Sequence, residues 1–159
     1  MAKTYMNRGQ IYQMLGEYEK AQADFDRSKK VLFMPMDAEE NFKRGELYSQ
    51  KGAYTRAVEE YNNILMWDPD NLNALNDRGN AYSNSQEYDE AIKDFDRIIT
   101  LRPDFVLAYH NRGIAYSWSG KKKKALEDFE EACQRGFRPS CDSAELVRSE
   151  MKERKAVSK

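Results

Sequence analysis

The sequence predicts an all-α fold, an alpha-alpha solenoid of four helix-turn-helix repeats closed by a C-terminal capping helix. Three observations predict it. A set of small and aromatic residues recurs every thirty-odd positions, glycine punctuates most cycles near the middle, and a proline stands near each cycle's end.

The cycle is anchored by four Arg-Gly pairs, Arg8-Gly9, Arg44-Gly45, Arg78-Gly79 and Arg112-Gly113, spaced 36, 34 and 34 residues apart. Three residues after each glycine stands a tyrosine (Tyr12, Tyr48, Tyr82, Tyr116), and twelve after it an alanine (Ala21, Ala57, Ala91, Ala125). Sixteen after it comes a ring (Phe25, Tyr61, Phe95, Phe129), always preceded by an acid (Asp24, Glu60, Asp94, Asp128). A small glycine facing a small alanine lets two antiparallel helices approach closely, while the rings fill the space beside them. Gly16, Gly52 and Gly120 mark the turns between the two helices, at positions that favour left-handed backbone; the third repeat has Ser85-Gln86 there.

Asp68-Pro69 and Arg102-Pro103 place a proline 24 residues after the glycine and end the second helices there. Pro35 and Pro139 come two residues later, which predicts longer connections after the first and fourth repeats. The expected organisation is one domain over residues 1–159, with repeats at about 2–37, 38–71, 72–105 and 106–139. A last helix over about 140–156 would lay Ala144, Leu146, Val147 and Met151 on the open end of the stack. Glu150, Lys152, Glu153, Arg154 and Lys155 would face water.

This Gly–Tyr–Ala–aromatic–Pro spacing resembles the tetratricopeptide repeat family over residues 2–139. One departure recurs: where that family often has leucine before the glycine, this chain has arginine four times. The resemblance implies a right-handed superhelix whose concave face is lined by the first helix of each repeat, and a role in holding a protein or peptide.

Helical spacing then lists the lining residues. One stripe runs through Asn7, Gln10 and Met14; Lys43, Glu46 and Gln50; Asp77, Asn80 and Asn84; and Asn111, Ile114 and Trp118. Its neighbour contains Met6 and Gln13, Phe42 and Ser49, Asn76 and Ser83, and His110 and Ser117. Amides both donate and accept, so a ladder of them suits the backbone of an extended peptide. Phe42, Trp118, Met6, Met14 and Ile114 offer apolar anchor points. The plainer alternative is a merely soluble surface. Some co-chaperones of the family clamp a chaperone's terminal carboxylate with several cations. Lys43 stands nearly alone here, and Glu46 and Asp77 would repel a carboxylate, so no such clamp is expected.

The arginine and acid that recur sixteen residues apart read as an ion pair within each hairpin, such as Arg8 with Asp24 or Arg78 with Asp94. Cys133 and Cys141 are the only cysteines, and their spacing is similar to the helix corners of Sel1-like repeats. A disulfide that pins the cap and two buried thiols are both open readings. The helical pattern begins almost at Met1, and no leader is read ahead of it. The compartment is cytoplasmic by default, or exported if the two cysteines are oxidised.

Lysines and arginines (26) nearly balance aspartates and glutamates (27), so no net field favours nucleic acid. Lys121–Lys124 read as a solvated turn, with an anion contact as the lesser reading. The longest apolar run, Val31 to Met36, is far too short to cross a bilayer. A single histidine and no glycine-rich phosphate loop give catalysis little footing, and no cofactor or metal is expected. A self-associating scaffold, a homo-oligomer, stands as the alternative to a peptide-binding module, and a nucleic-acid binder ranks lower.

Overall fold

The structure, a computed structural model, describes the backbone of residues 2–32 and 38–157 and the side chains of 4–28 and 38–153. Pro35 and the connection expected after the first repeat lie outside the described residues, as do the side chains of Arg154 and Lys155. The chain falls into two compact units, Met1–Glu40 and Asn41–Lys159. Among the described residues the secondary structure is nine α-helices with no strand.

The N-terminal unit is a hairpin of α1 (Ala2–Met14) and α2 (Tyr18–Leu32). A side chain on Gly9 would meet the Phe25 ring at 2.8 Å, so glycine is what allows the ring to close the hairpin. Arg8 donates to both carboxylate oxygens of Asp24, at 2.5 and 2.7 Å.

The C-terminal unit is built from α3 (Ala38–Gln50), α4 (Tyr54–Trp67), α5 (Leu72–Asn84), α6 (Tyr88–Leu101), α7 (Val106–Trp118), α8 (Lys122–Gln134) and α9 (Arg138–Val157). Asp68 and Arg102 stop α4 and α6. Each precedes a proline and leaves the helical region, with φ,ψ of −130,81 and −141,82, as steric conflict with the proline ring requires. Asn71 then caps α5, its side chain accepting from the Ala74 N–H at 3.0 Å. The third turn needs no glycine: Gln86 takes φ 68, close to the φ 78 of Gly120 in the fourth.

Each hairpin closes as the repeat implied, with a ring lying against the opposite glycine. A Cβ on Gly79 would stand 2.8 Å from Phe95. Ala57, Tyr61 and Ile64 from α4, Ala74 and Leu75 from α5, Ala91, Phe95 and Ile98 from α6 and Ala108 from α7 form one buried core. A second cluster, Ala125, Phe129, Ala144 and Val147, joins α8 to α9, so the last helix covers the end of the stack. Leu146, expected on that apolar side, is instead exposed. It directly precedes Val147, and one residue is about 100° around a helix, enough to leave the buried face.

The cap also starts earlier than its sequence suggests. Pro139 lies inside the first turn of α9, where its missing N–H has no helical partner to lose and its fixed φ suits the helix. Cys133 and Cys141 are joined by a disulfide across the α8–α9 corner, their Cα atoms 4.8 Å apart. No helix among the described residues is long and apolar enough to cross a membrane.

Candidate peptide-binding cleft

The repeated arginines are spent on structure. Arg78 forks onto Asp94 at 2.8 and 2.6 Å, Arg112 onto Asp128 at 2.8 and 2.7 Å, and Arg44 reaches Glu60 at 3.2 Å. Burial pushes the Asp94 and Asp128 carboxyls above the usual aspartate range, and the arginine bonds pull against it. Burial also works against the Arg78 charge, but the bonds to Asp94 outweigh it and raise its pKa.

With the arginines turned into the hairpins, the first-helix stripes are left to amides, hydroxyls, a few apolar groups and the charges of Lys43, Glu46 and Asp77. Asn80, Ser83 and Asn84 from α5 and Asn111, Ile114 and Trp118 from α7 line one cleft of about 220 Å³. The two helices are neighbours because α6 packs on both and its Phe95 and Ile98 are fully buried. Trp118 is 54% exposed and lies 6.2 Å from the Tyr88 ring, which braces one side of the indole. Asn84 donates back to the Asn80 carbonyl at 2.9 Å, and Asn111 donates to the Asn76 Oδ1 at 2.9 Å. Asn76 in turn donates to Asp77 at 2.9 Å. The Asn80 side-chain amide has no partner among the described residues. Ser83 is 94% buried, yet its hydroxyl has no hydrogen-bond partner there either. Both can pair with an incoming polar group.

The other residues of the stripes lie elsewhere. Phe42 is half-buried, edge-on to Tyr61 at 5.7 Å, and belongs to the core wall. Lys43 is exposed on α3. His110 is half-buried between Phe129 and Phe137, with ring centroids 5.7 and 4.9 Å away, and its Nδ1 lies 2.8 Å from the Ser140 hydroxyl. That engagement ties α7 to α9, and burial lowers the His110 pKa below its usual value. In the N-terminal unit Met6, Asn7, Gln10 and Met14 are exposed, and Gln10 and Met14 join Gln13 and Tyr18 around a separate open hollow.

Ser83 and Tyr88 matter more than their sequence positions suggested. By spacing the hydroxyl is only one polar member of the second groove stripe, and the tyrosine recurs at Tyr18 and Tyr54 as a second-helix opener. That recurrence was the available signal for an aromatic beside the groove.

Of the four lysines at the α7–α8 turn, Lys121 pairs with Asp89 at 2.7 Å and Lys122 with Glu150 at 2.8 Å, while Lys124 lies over the Tyr116 ring. No group of three or more His, Cys, Asp or Glu side chains suited to a metal ion occurs among the described residues.

Sequence profiles of the tetratricopeptide repeat match residues 2–31, 41–71, 72–105 and 106–136. No curated protein matches the sequence. Among solved structures, the second TPR domain of human RPAP3, in complex with the HSP70 peptide SGPTIEEVD, is 30% identical. The match covers 71% of this chain and 96% of that one, with a TM-score of 0.66. The second TPR of Spaghetti (RPAP3), bound to the HSP90 peptide SRMEEVD, is 32% identical over 62% of this chain and 92% of that one, with a TM-score of 0.58. The Sgt2 TPR domain from Aspergillus fumigatus shares the fold at 20% identity, covering 79% and 85%, with a TM-score of 0.72.

Proposed function

Because this chain belongs to the tetratricopeptide repeat family, we propose that it is a non-catalytic binding module whose α5–α7 cleft holds an extended segment of another protein. The observation that carries this reading is the cleft itself. Unpaired polar groups on Asn80 and Ser83 stand beside an exposed indole and Ile114, in a hollow sized for one or two peptide residues. A buried hydroxyl without a partner costs about 1–3 kcal/mol, which a peptide N–H or C=O would recover on binding. Trp118 and Ile114 supply the apolar anchor on which such interfaces concentrate their energy.

The RPAP3 domain of 30% identity is in complex with a peptide ending in EEVD, and that supports peptide binding as the activity. It does not carry the same ligand over. Glu46 and Asp77 stand on the first-helix stripe of α3 and α5, and they disfavour an acidic peptide in this chain.

The test is a selection of linear peptides displayed on phage, followed by titration of a recovered peptide. Asn111→Ala and Trp118→Ala are each expected to weaken binding ten-fold or more, equivalent to about 1.4 kcal/mol, with an unchanged melting temperature. Recovery of peptides insensitive to both changes would remove the cleft from the function. The peptide SGPTIEEVD is expected to bind at least ten-fold more weakly than the selected one.

A further inference from the structure

We propose that the ligand of this cleft is a peptide with a cationic side chain beside an apolar one, the cation held by Asp77 and Glu46 and the apolar group by Ile114 and Trp118. This rests on the peptide-binding reading and names the ligand's chemistry.

The argument starts from Asp77. It lies on α5 one helical turn before Asn80, which lines the cleft. It is half-buried, and among the described residues no arginine or lysine pairs with it. That sets it apart from the buried carboxylates of the same unit, since Asp94 and Asp128 each hold a forked arginine. The charge that acts on Asp77 is another carboxylate, Glu46, and burial together with that neighbour raises its pKa. Its one hydrogen bond comes from Asn76. Asn76 accepts in turn from Asn111, so a row of bonds runs from the Asp77 carboxylate to a residue of the cleft wall.

The second observation is independent of the acids. The Ser83 hydroxyl, 94% buried and unpartnered, lines the same cleft one helical turn beyond Asn80. Along α5 the order is therefore an unneutralised carboxylate, a free amide and a free hydroxyl, with Ile114 and Trp118 facing them from α7. An extended peptide lying along this face would meet negative charge at one end and an indole at the other. A lysine or arginine supplies what Asp77 and Glu46 lack, and the long methylene stem of either can lie along the wall.

The experiment uses the whole chain and four pools of octapeptides, acetylated and amidated at their ends. Each pool fixes a central leucine and places Arg, Lys, Gln or Glu two residues to either side, and binding is read by fluorescence anisotropy. Wild type is expected to bind the Arg and Lys pools at least ten-fold more tightly than the Glu pool and at least three-fold more tightly than the Gln pool. Asp77→Asn should bring the Arg and Gln pools within two-fold of each other, while Glu46→Gln moves them part of the way. Trp118→Ala should weaken all four pools in the same proportion. Equal binding of all pools by wild type overturns the cationic subsite and leaves peptide binding standing. Binding of no pool overturns both. Binding confined to the Arg and Lys pools but unchanged in Asp77→Asn places the cation elsewhere and also overturns the proposal.

Discussion

Gly79 and Arg78 are adjacent in sequence and do unrelated work, one steric and one electrostatic. A methyl group at Gly79 would sit 2.8 Å from Phe95, a ring with no exposed surface and so nowhere to move. Gly79→Ala is therefore expected to destabilise the C-terminal unit by about 1–3 kcal/mol, the usual cost of overpacking, read from urea unfolding. A stability unchanged within error would mean that the ring is not confined as described. Arg78→Leu removes the partner of a buried carboxylate, and the expected loss is about 3 kcal/mol. The double change Arg78→Leu with Asp94→Leu should recover much of that, because an apolar pair leaves no charge stranded. Peptide affinity should stay within two-fold of wild type in both variants. This arginine was legible in the sequence because it recurs in register with an acid. Ser83 was not, because whether a hydroxyl has a partner depends on how α5 and α7 meet.

At the scale of the element, and besides ion pairs such as Lys122–Glu150 and Arg148–Glu130, α9 is tied to the rest of its unit by three different devices. They are the Ala144 and Val147 contacts, the Cys133–Cys141 disulfide, and the His110–Ser140 hydrogen bond between two phenylalanine rings. The disulfide closes a short loop, for which chain entropy gives about 2–3 kcal/mol of stabilisation. Reduction with dithiothreitol is thus expected to lower the melting temperature by several degrees, and no shift on reduction would show that the pair does not brace the cap. The histidine gives this element a pH dependence. Its pKa is lowered in the folded chain by burial, so the unfolded chain takes up a proton first, from about pH 6.5 downward. The stability present above pH 6.5 is then lost as the pH falls through the folded value. His110→Gln retains hydrogen-bonding capacity without titrating, and it should flatten the melting-temperature profile between pH 7 and 5. The cap itself was legible as an apolar-sided helix after the fourth repeat. Its start was not, since proline reads as a breaker in sequence and only its position within the first turn makes it compatible with α9. His110 was placed on the groove stripe by helical spacing alone, and spacing does not reveal that Ser140 of α9 and Phe137, just before that helix, reach the ring.

Across the whole molecule, what the sequence conveyed well was whatever each residue does to its own hairpin. Glycine opposite a ring, arginine opposite an acid and proline after a helix all repeat with the chain, so periodicity exposes them. The cleft depends on contacts between hairpins, and there only its lining could be drawn up, without the Tyr88 brace or the Asn76–Asn111 bond. The same distinction between local and collective packing sets an expectation for stability. Among the described side chains of the N-terminal unit, Ala21 is the buried apolar one, while Ile11, Met14, Leu15 and Tyr18 are between 54% and 81% exposed. The C-terminal unit buries whole rings and branched side chains of α4 and α6, including Tyr61, Phe95 and Ile98. Protection from amide exchange follows how much apolar surface a segment buries with its neighbours. A repeat stack adds the stability of every interface it contains. Amides in α1 and α2 are therefore expected to exchange at least about 100-fold faster than those in α5 and α6, a gap of roughly 2.7 kcal/mol in opening free energy. Hydrogen–deuterium exchange followed by peptide mass analysis measures this directly. Equal protection in α1 and α6 would mean that the first hairpin draws its stability from something other than its own buried surface.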